Sequence, residues 1–213
     1  MKKIDKMLSI SSESISNKKI THKEFDKIDR ISIEIKEELF QMLSKKNGFL
    51  AFENALLILP SNSVENIIGI FGWNKYNYWK KNYTIFREKI LFFALDIFAC
   101  QFGITSSNII KFNPETGEIY AHSNTLEDWA GTILSDYNYE TGWLSGKQWQ
   151  EKNGPLKFGY RLLGKKPFVL GGEYLPDNLK EVELSVAMEK LGNLYNQIKN
   201  VPDGEKITIK GWI

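Results

Sequence analysis

The chain has 213 residues, 42% hydrophobic, 13% aromatic and 25% charged, enough for a real core in one domain and unlike a disordered chain. A net charge of +2 at pH 7 gives no strong pull toward nucleic acid and none of the heavy negative charge of a DNA mimic. The single cysteine, Cys100, excludes an intramolecular disulfide; set in an apolar run, it reads as a small buried hydrophobe rather than a reactive thiol.

Residues 1–20 are polar and rich in serine and lysine, and are expected to form a flexible, loosely attached segment ahead of a single domain at 21–213. No long apolar stretch follows Lys2, Lys3 and Lys6, so no secretory signal is read there. The greasiest tract, 90–104, is broken by Asp96 and Gln101 and falls short of the roughly 20 residues that a membrane-crossing helix needs. A cytoplasmic protein is the expectation. Across 31–46, Ile31, Ile35, Leu39 and Leu43 recur every fourth position and Phe40 widens the stripe, which predicts an amphipathic helix stopped by Asn47-Gly48. Residues 49–52 and 56–59 are short strand candidates, the second closed by Pro60.

Residues 73–83 set Trp73, Tyr76, Tyr78, Trp79 and Tyr83 among Lys75, Lys80 and Lys81. Three readings compete: rings packed inward while the lysines snorkel, a protein-binding surface, or a stacking platform for single-stranded nucleic acid. Two apolar runs follow, 90–95 and 97–104, joined at Asp96. Runs 108–112 and 118–122 flank Asn113-Pro114-Glu115-Thr116-Gly117, a linker of turn-favouring residues, and so predict a β-hairpin. Asn124 or Thr125 opens an amphipathic helix carrying Leu126, Trp129, Ile133 and Leu134. Residues 136–154 are polar, with Trp143 and Trp149 embedded, and 167–174 contain the tight Gly171-Gly172 pair. Leu184, Met188, Leu191, Tyr195 and Ile198 predict a helix over 183–200. Pro202-Asp203-Gly204 then turns the chain into an expected final strand, 206–213, with Ile207, Ile209 and Ile213 on one face. Strand, strand, hairpin and helix in that order predict a single α+β domain built on an antiparallel-rich mixed sheet packed with helices.

Catalytic signatures are scarce. The chain holds no Walker loop and no dinucleotide fingerprint, and Gly142-Trp143-Leu144-Ser145-Gly146 places its serine one position late for a nucleophile elbow. With only His22 and His122 besides Cys100, a zinc site would need carboxylates at most positions. His122 follows a strand with Glu127 and Asp128 close behind, so an acid–base pair is conceivable, but the simpler reading ends an edge strand near solvent. No catalytic, cofactor-binding or metal residue is assigned, and no cofactor is expected.

The order of these features resembles the SUKH superfamily, which includes fungal cell-wall-synthesis regulators and many bacterial immunity proteins of polymorphic toxin systems. An early helix leads into Asn47-Gly48-Phe49, then a strand ending at Pro60, then a tryptophan-bearing segment. Ala94-Leu95-Asp96-Ile97-Phe98 is similar to the family's apolar strand with its aspartate, Thr116-Gly117-Glu118 to its hairpin turn, and residues 126–134 to the helix that follows. Residues 167–174, Asn178-Leu179, the 192–197 helix and Pro202-Asp203-Gly204 resemble the tail of a bacterial subgroup, so the likeness runs from about 31 to the end. The chain departs from the pattern at 97–99, where the usual glycine is replaced, and at Gly48, single where two are common.

The resemblance implies a SUKH-like fold and a non-enzymatic immunity protein that binds and neutralises a cognate toxin domain, such as a nuclease, without touching nucleic acid or membrane itself. Two aromatic surfaces are candidates for the partner: Trp73, Tyr76, Tyr78 and Trp79, and the polar insert with Tyr137, Tyr139, Trp143 and Trp149. The acidic residues Glu127, Asp128, Asp136 and Glu140 offer charge complementarity to a basic toxin. The alternatives are a scaffold or regulator of cell-wall or signalling processes, as for the fungal relatives, and an enzyme centred on His122 and Asp128.

Overall fold

A computed structural model describes residues 2–86, 89–202 and 204–213. The fold is α+β: a six-stranded sheet in the plain sequential order β1 (Phe49–Ala51), β2 (Leu56–Ile58), β3 (Leu91–Asp96), β4 (Gln101–Ile104), β5 (Ile109–Phe112) and β6 (Ile119–Ser123). Every neighbouring pair in it is antiparallel. β3 and β4 are buried at every position, because side chains on both of their faces are covered.

Strand alternation sends Phe92 and Phe93 to opposite faces. The helices up to the end of the large sheet are, in chain order, α1 (Lys3–Ile10), α2 (His22–Phe25), α3 (Ile33–Lys45), α4 (Ile70–Trp73) and, just after β6, α5 (Leu126–Ser135). On one face Trp129, from α5, packs edge-on against Phe93 and Phe102, with ring centroids 5.1 and 5.6 Å apart. This helix starts where expected, its cap Thr125 accepting the Asp128 N–H at 3.0 Å. On the other face Trp79 packs against Phe92 and Phe112, and Tyr83 bridges Phe112 and Tyr195 of the C-terminal helix (Leu184–Ile198). Trp73 Nε1 donates to Gln101 Oε1 at 2.7 Å, which satisfies both polar groups in the dry core. The aromatic segment 73–83 is therefore mostly sheet cover, and Trp73 and Trp79, at 0% and 2% exposure, are corrected from interface candidates to core.

The helix expected over 31–46 spans Ile33–Lys45, with Ser32 as its cap. Beyond it Gly48 has φ +74°, and a Cβ there would lie 2.7 Å from Pro60, so the turn into β1 requires glycine.

Two expectations, at the two ends of the chain, are revised. The segment 1–20, read as flexible, carries a helix, Lys3–Ile10, whose Met7 is buried and which packs along α5; Ile4, Met7 and Leu8 make a short apolar stripe that the surrounding serines and lysines disguise. The strand expected at 206–213 is not formed by the described residues there, and Asp203 of the turn before it lies outside them. Instead Gln197 clasps Lys210 by two hydrogen bonds, Lys190 Nζ donates to Gly211 O, and Trp212 Nε1 to Gly164 O, so the tail is held through side chains rather than by strand pairing. The polar insert 136–154 folds as α6 (Tyr137–Thr141) and α7 (Trp143–Asn153). A second, two-stranded sheet pairs β7 (Tyr160–Gly164) with β8 (Leu179–Glu183). It joins the first through Leu162 N–H to Ile97 O at 2.9 Å.

If the N-terminal helix is docked as described, Met7→Ala costs about 2–3 kcal/mol through the cavity it leaves. Urea unfolding measures this; a silent substitution would mean a segment hanging free.

Candidate functional site

The site is a cleft of about 640 Å³ at the β6 end of the sheet. Its floor starts at Asp96, the last residue of β3. The carboxylate Oδ1 accepts the N–H groups of Phe98 and Cys100 at 3.0 and 2.9 Å, holding the tight β3–β4 turn in which Ala99 takes φ +67°. Lys111, from β5, reaches across the Phe102 ring with Nζ 5.2 Å from its centroid. Its ammonium donates to Glu140 O at 2.7 Å and lies 3.5 Å from Glu140 Oε2 and 3.7 Å from Asp96 Oδ2. Glu140, on α6, also meets His122 Nε2 at 3.2 Å, and His122 Nδ1 pairs with Ser123 Oγ at 2.7 Å. Four titratable groups from three strands and one helix thus form a continuous chain.

Burial dominates their electrostatics. It pushes the Asp96 carboxyl up to about 6, with Lys111 and the two backbone N–H groups offsetting only part of the cost. Burial also works against the charge on Glu140, but His122 and Lys111 outweigh it and hold this carboxyl below its ordinary value. Lys111 is opposed by burial and raised overall by Asp96, Cys100 and Glu140. Burial, with Asp96 beside it, pushes the Cys100 thiol well above its ordinary value, so it stays protonated at neutral pH.

The walls are aromatic. Buried Glu115, in the β5–β6 turn, accepts the N–H groups of Phe168 and Val169 at 3.3 and 2.8 Å and so pins the short turn Phe168–Leu170. Phe168 stacks on Tyr174 at 4.0 Å, and both meet Phe98 edge-on. Opposite, Gly142 links α6 to α7 with φ +69°; a Cβ there would come within 2.2 Å of the Phe98 ring, so only glycine lets the helices close on the turn. Tyr120, Tyr139, Leu144 and Tyr174 line the cleft and stay exposed, Tyr139 at 79%.

Of the residues singled out from the sequence, His122, Tyr139 and Glu140 stand on this cleft. Trp149 is buried, donating Nε1 to Leu179 O at 3.3 Å, and is corrected from surface to core. Trp143 is half-buried, edge-on to Tyr137, which stacks on Phe52. Tyr78 is half-buried against Trp73, while Tyr76 is exposed at 68% away from the cleft lining. Glu127 accepts the N–H groups of Lys3 and Ile4 at the start of the N-terminal helix, and Asp128 is exposed. His122 therefore pairs with Glu140, not with Glu127 or Asp128. Tyr120, Lys111 and Tyr174 were missed: nothing in a strand or a Gly-Gly loop marks which residues face one cavity.

Among the described residues, no group of three or more His, Cys, Asp or Glu is placed to hold a metal ion, and no helix is long and apolar enough to cross a membrane. No protein-family model matches the chain, and no curated protein matches it by sequence. Among solved structures, Atu4351 from Agrobacterium tumefaciens is similar, with a TM-score of 0.61 and 11% identity over 87% of this chain and 86% of that one. At that identity the likeness is one of fold.

The buried acid gives a pH signature. Asp96 binds its proton more tightly folded than unfolded, so between the ordinary carboxylate value and about 6 the native state holds more protons, and stability falls as pH rises through that window. Asp96→Asn, which keeps the oxygen that accepts from Phe98 and Cys100, removes this component. Urea midpoints of the two proteins compared from pH 4 to 7 should diverge within that window; parallel curves would place the Asp96 charge in a solvated site.

Proposed function

We propose that this chain is a non-catalytic protein binder, an immunity protein that neutralises a bacterial toxin domain, and that the toxin docks at the mouth of the cleft. The observation that carries the reading is the ring of Tyr120, Tyr139, Leu144 and Tyr174, large apolar side chains left exposed around a single opening on fixed elements. Tyrosine brings contact area at low entropic cost, and such rings dominate protein interfaces. The groups that catalysis would recruit are already committed. Both ring nitrogens of His122 are engaged, and the Cys100 thiol is held protonated. The resemblance to SUKH proteins and the absence of catalytic motifs support the same reading, to which a cytoplasmic location belongs.

Calorimetric titration with the toxin domain encoded beside the gene, catalytically inactivated, tests it. A nanomolar one-to-one complex is expected. Tyr139→Ala and Tyr174→Ala should each weaken it by more than about 1 kcal/mol, roughly fivefold, Tyr139→Ala with unchanged melting temperature and Tyr174→Ala with a lowered one as its stacking on Phe168 is lost, while Tyr76→Ala leaves it intact. Absence of binding would move the chain to the scaffold or regulator class, and equal affinities for all three variants would take the cleft out of the interface.

A further inference from the structure

The chain treats the two edges of its large sheet differently. On β1 the outer backbone is taken up by the N-terminal segment. Ser12 N–H donates to Leu50 O at 2.8 Å and Ser12 Oγ accepts from Leu50 N–H at 3.0 Å. Ile15 and Ser16 donate to Gly48 O and Asn47 O at 2.8 and 3.0 Å. β6 has no such cover, and its first three residues, Ile119, Tyr120 and Ala121, are exposed. The hairpin register settles which of its groups face outward. Asn113 N–H donates to Glu118 O at 2.9 Å, so by antiparallel alternation the next hydrogen-bonded pair is Lys111 with Tyr120. The N–H and C=O groups of Ile119 and Ala121 therefore point away from β5, and no described residue outside the ladder bonds to them. Within Ile119–Ser123 β6 has no lysine, carboxylate or proline of the kind that guards free edges, the nearest being Glu118 just before it, bonded to the Tyr120 side chain; its one irregularity is the register shift at its Ser123 end.

The same strand lines the cleft through Tyr120, Ala121 and His122. In a chain of net charge +2, the cleft lining carries the carboxylates Asp96, Glu115 and Glu140 against the single lysine Lys111 and His122. Among the described residues no group hydrogen-bonds to Glu140 Oε1; the Asp96 carboxyl is also shared by the Cys100 thiol, and the ammonium nearest its Oδ2 is 3.7 Å away. Glu140 Oε1 is thus open to a further cation, beside the Asp96 carboxyl and below rim tyrosines of the kind that attract cations.

We propose that β6 and the cleft together seat an extended segment of a partner protein, which adds a seventh strand through Ile119 and Ala121 and lowers one lysine or arginine side chain toward Glu140 and Asp96. This rests on the protein-binding reading above and specifies how the partner is held. Strand addition supplies affinity through the main chain, and the alternate side chains entering the cleft supply selectivity. A residue opposite Tyr120 projects to the face that Tyr120 shares with Lys111, which is the cleft side.

The test uses a blocked pentapeptide of threonine, valine, arginine, valine and threonine, titrated into the nitrogen-15-labelled full chain to about 1 mM, the ceiling for weak binding. The Ile119 and Ala121 amide signals should shift and their hydrogen exchange should slow. Replacing the arginine by neutral citrulline should weaken binding about tenfold or more, and Ala121→Pro, which deletes an outward N–H, should abolish it. Unmoved Ile119 and Ala121 amides, or equal affinity for the citrulline peptide, overturn the proposal; these two readouts need only the unmutated protein, should Ala121→Pro fail to fold. A dimer in sedimentation with both amides already protected gives the edge to a second copy and also overturns it. The toxin titration is decided separately. Tight toxin binding undisturbed in Ala121→Pro keeps the protein-binding reading and removes strand addition. Peptide binding with no toxin binding keeps strand addition and removes the toxin.

Discussion

A sheet whose central strands are apolar on both faces must be covered on both, and the rest of the molecule follows from that requirement. Phe92 and Phe93, adjacent in sequence, each find a tryptophan on their own side, Trp79 on one and Trp129 on the other. Burying each such ring contributes roughly 1.5–3 kcal/mol, far more than an exposed salt bridge would. The cover is spent where the strands are greasiest, at β3 and β4. What remains uncovered is the last strand, and there the cleft opens.

The charged chain on the cleft floor solves a different problem. α6 and α7 present little apolar surface to the sheet: among their side chains Trp149 is the large buried one. Asp96, Lys111, Glu140 and His122 tie α6 to three strands by ionic and hydrogen-bonded contacts instead. Such a buried chain is nearly neutral against a well-packed apolar alternative, yet losing one member costs about 3–5 kcal/mol because its partner is left charged and unpaired. The walls therefore stay fixed in position while their rim residues are free to differ.

Much of the fold was legible because periodicity and capping agree in the large elements. The hairpin at 108–122, the helix capped by Thr125 and the helix ending at Ile198 each combine a hydrophobic period with a local stop or start signal. The failures have physical causes. Ile207, Thr208 and Ile209 alternate as a strand would, but alternation states only a preference for two faces and not that an edge is free to pair. The insert 136–154 hid two helices because its apolar residues are too few to show a period; its signals were the Asp136 cap and the Gly142 hinge. Trp73 and Trp79 read equally well as surface or core, since composition does not say which way a ring points. The cleft was least legible of all. Asp96, Lys111, His122 and Glu140 are unremarkable singly, and only the pleat of the sheet and the return of α6 bring them within reach of one another.

The N-terminal helix carries a consequence for synthesis. Glu127 holds the N–H groups at its start, and α5, against which Met7 is buried, lies more than 100 positions further along the chain, Lys3 and Glu127 being 124 apart. On the ribosome the sequential strands can pair with their neighbours as they emerge, each contact being local. Residues 12–16 can close the first edge as soon as β1 appears. The helix ahead of them can bond early to Lys45 and Lys46 through Asp5 and Leu8, but the face of α5 that covers it comes only when most of the sheet has been made. Docking of the helix on α5 is therefore a late step, and the polar character of the first twenty residues, which conceals the helix from a reader of the sequence, also keeps the waiting segment from aggregating.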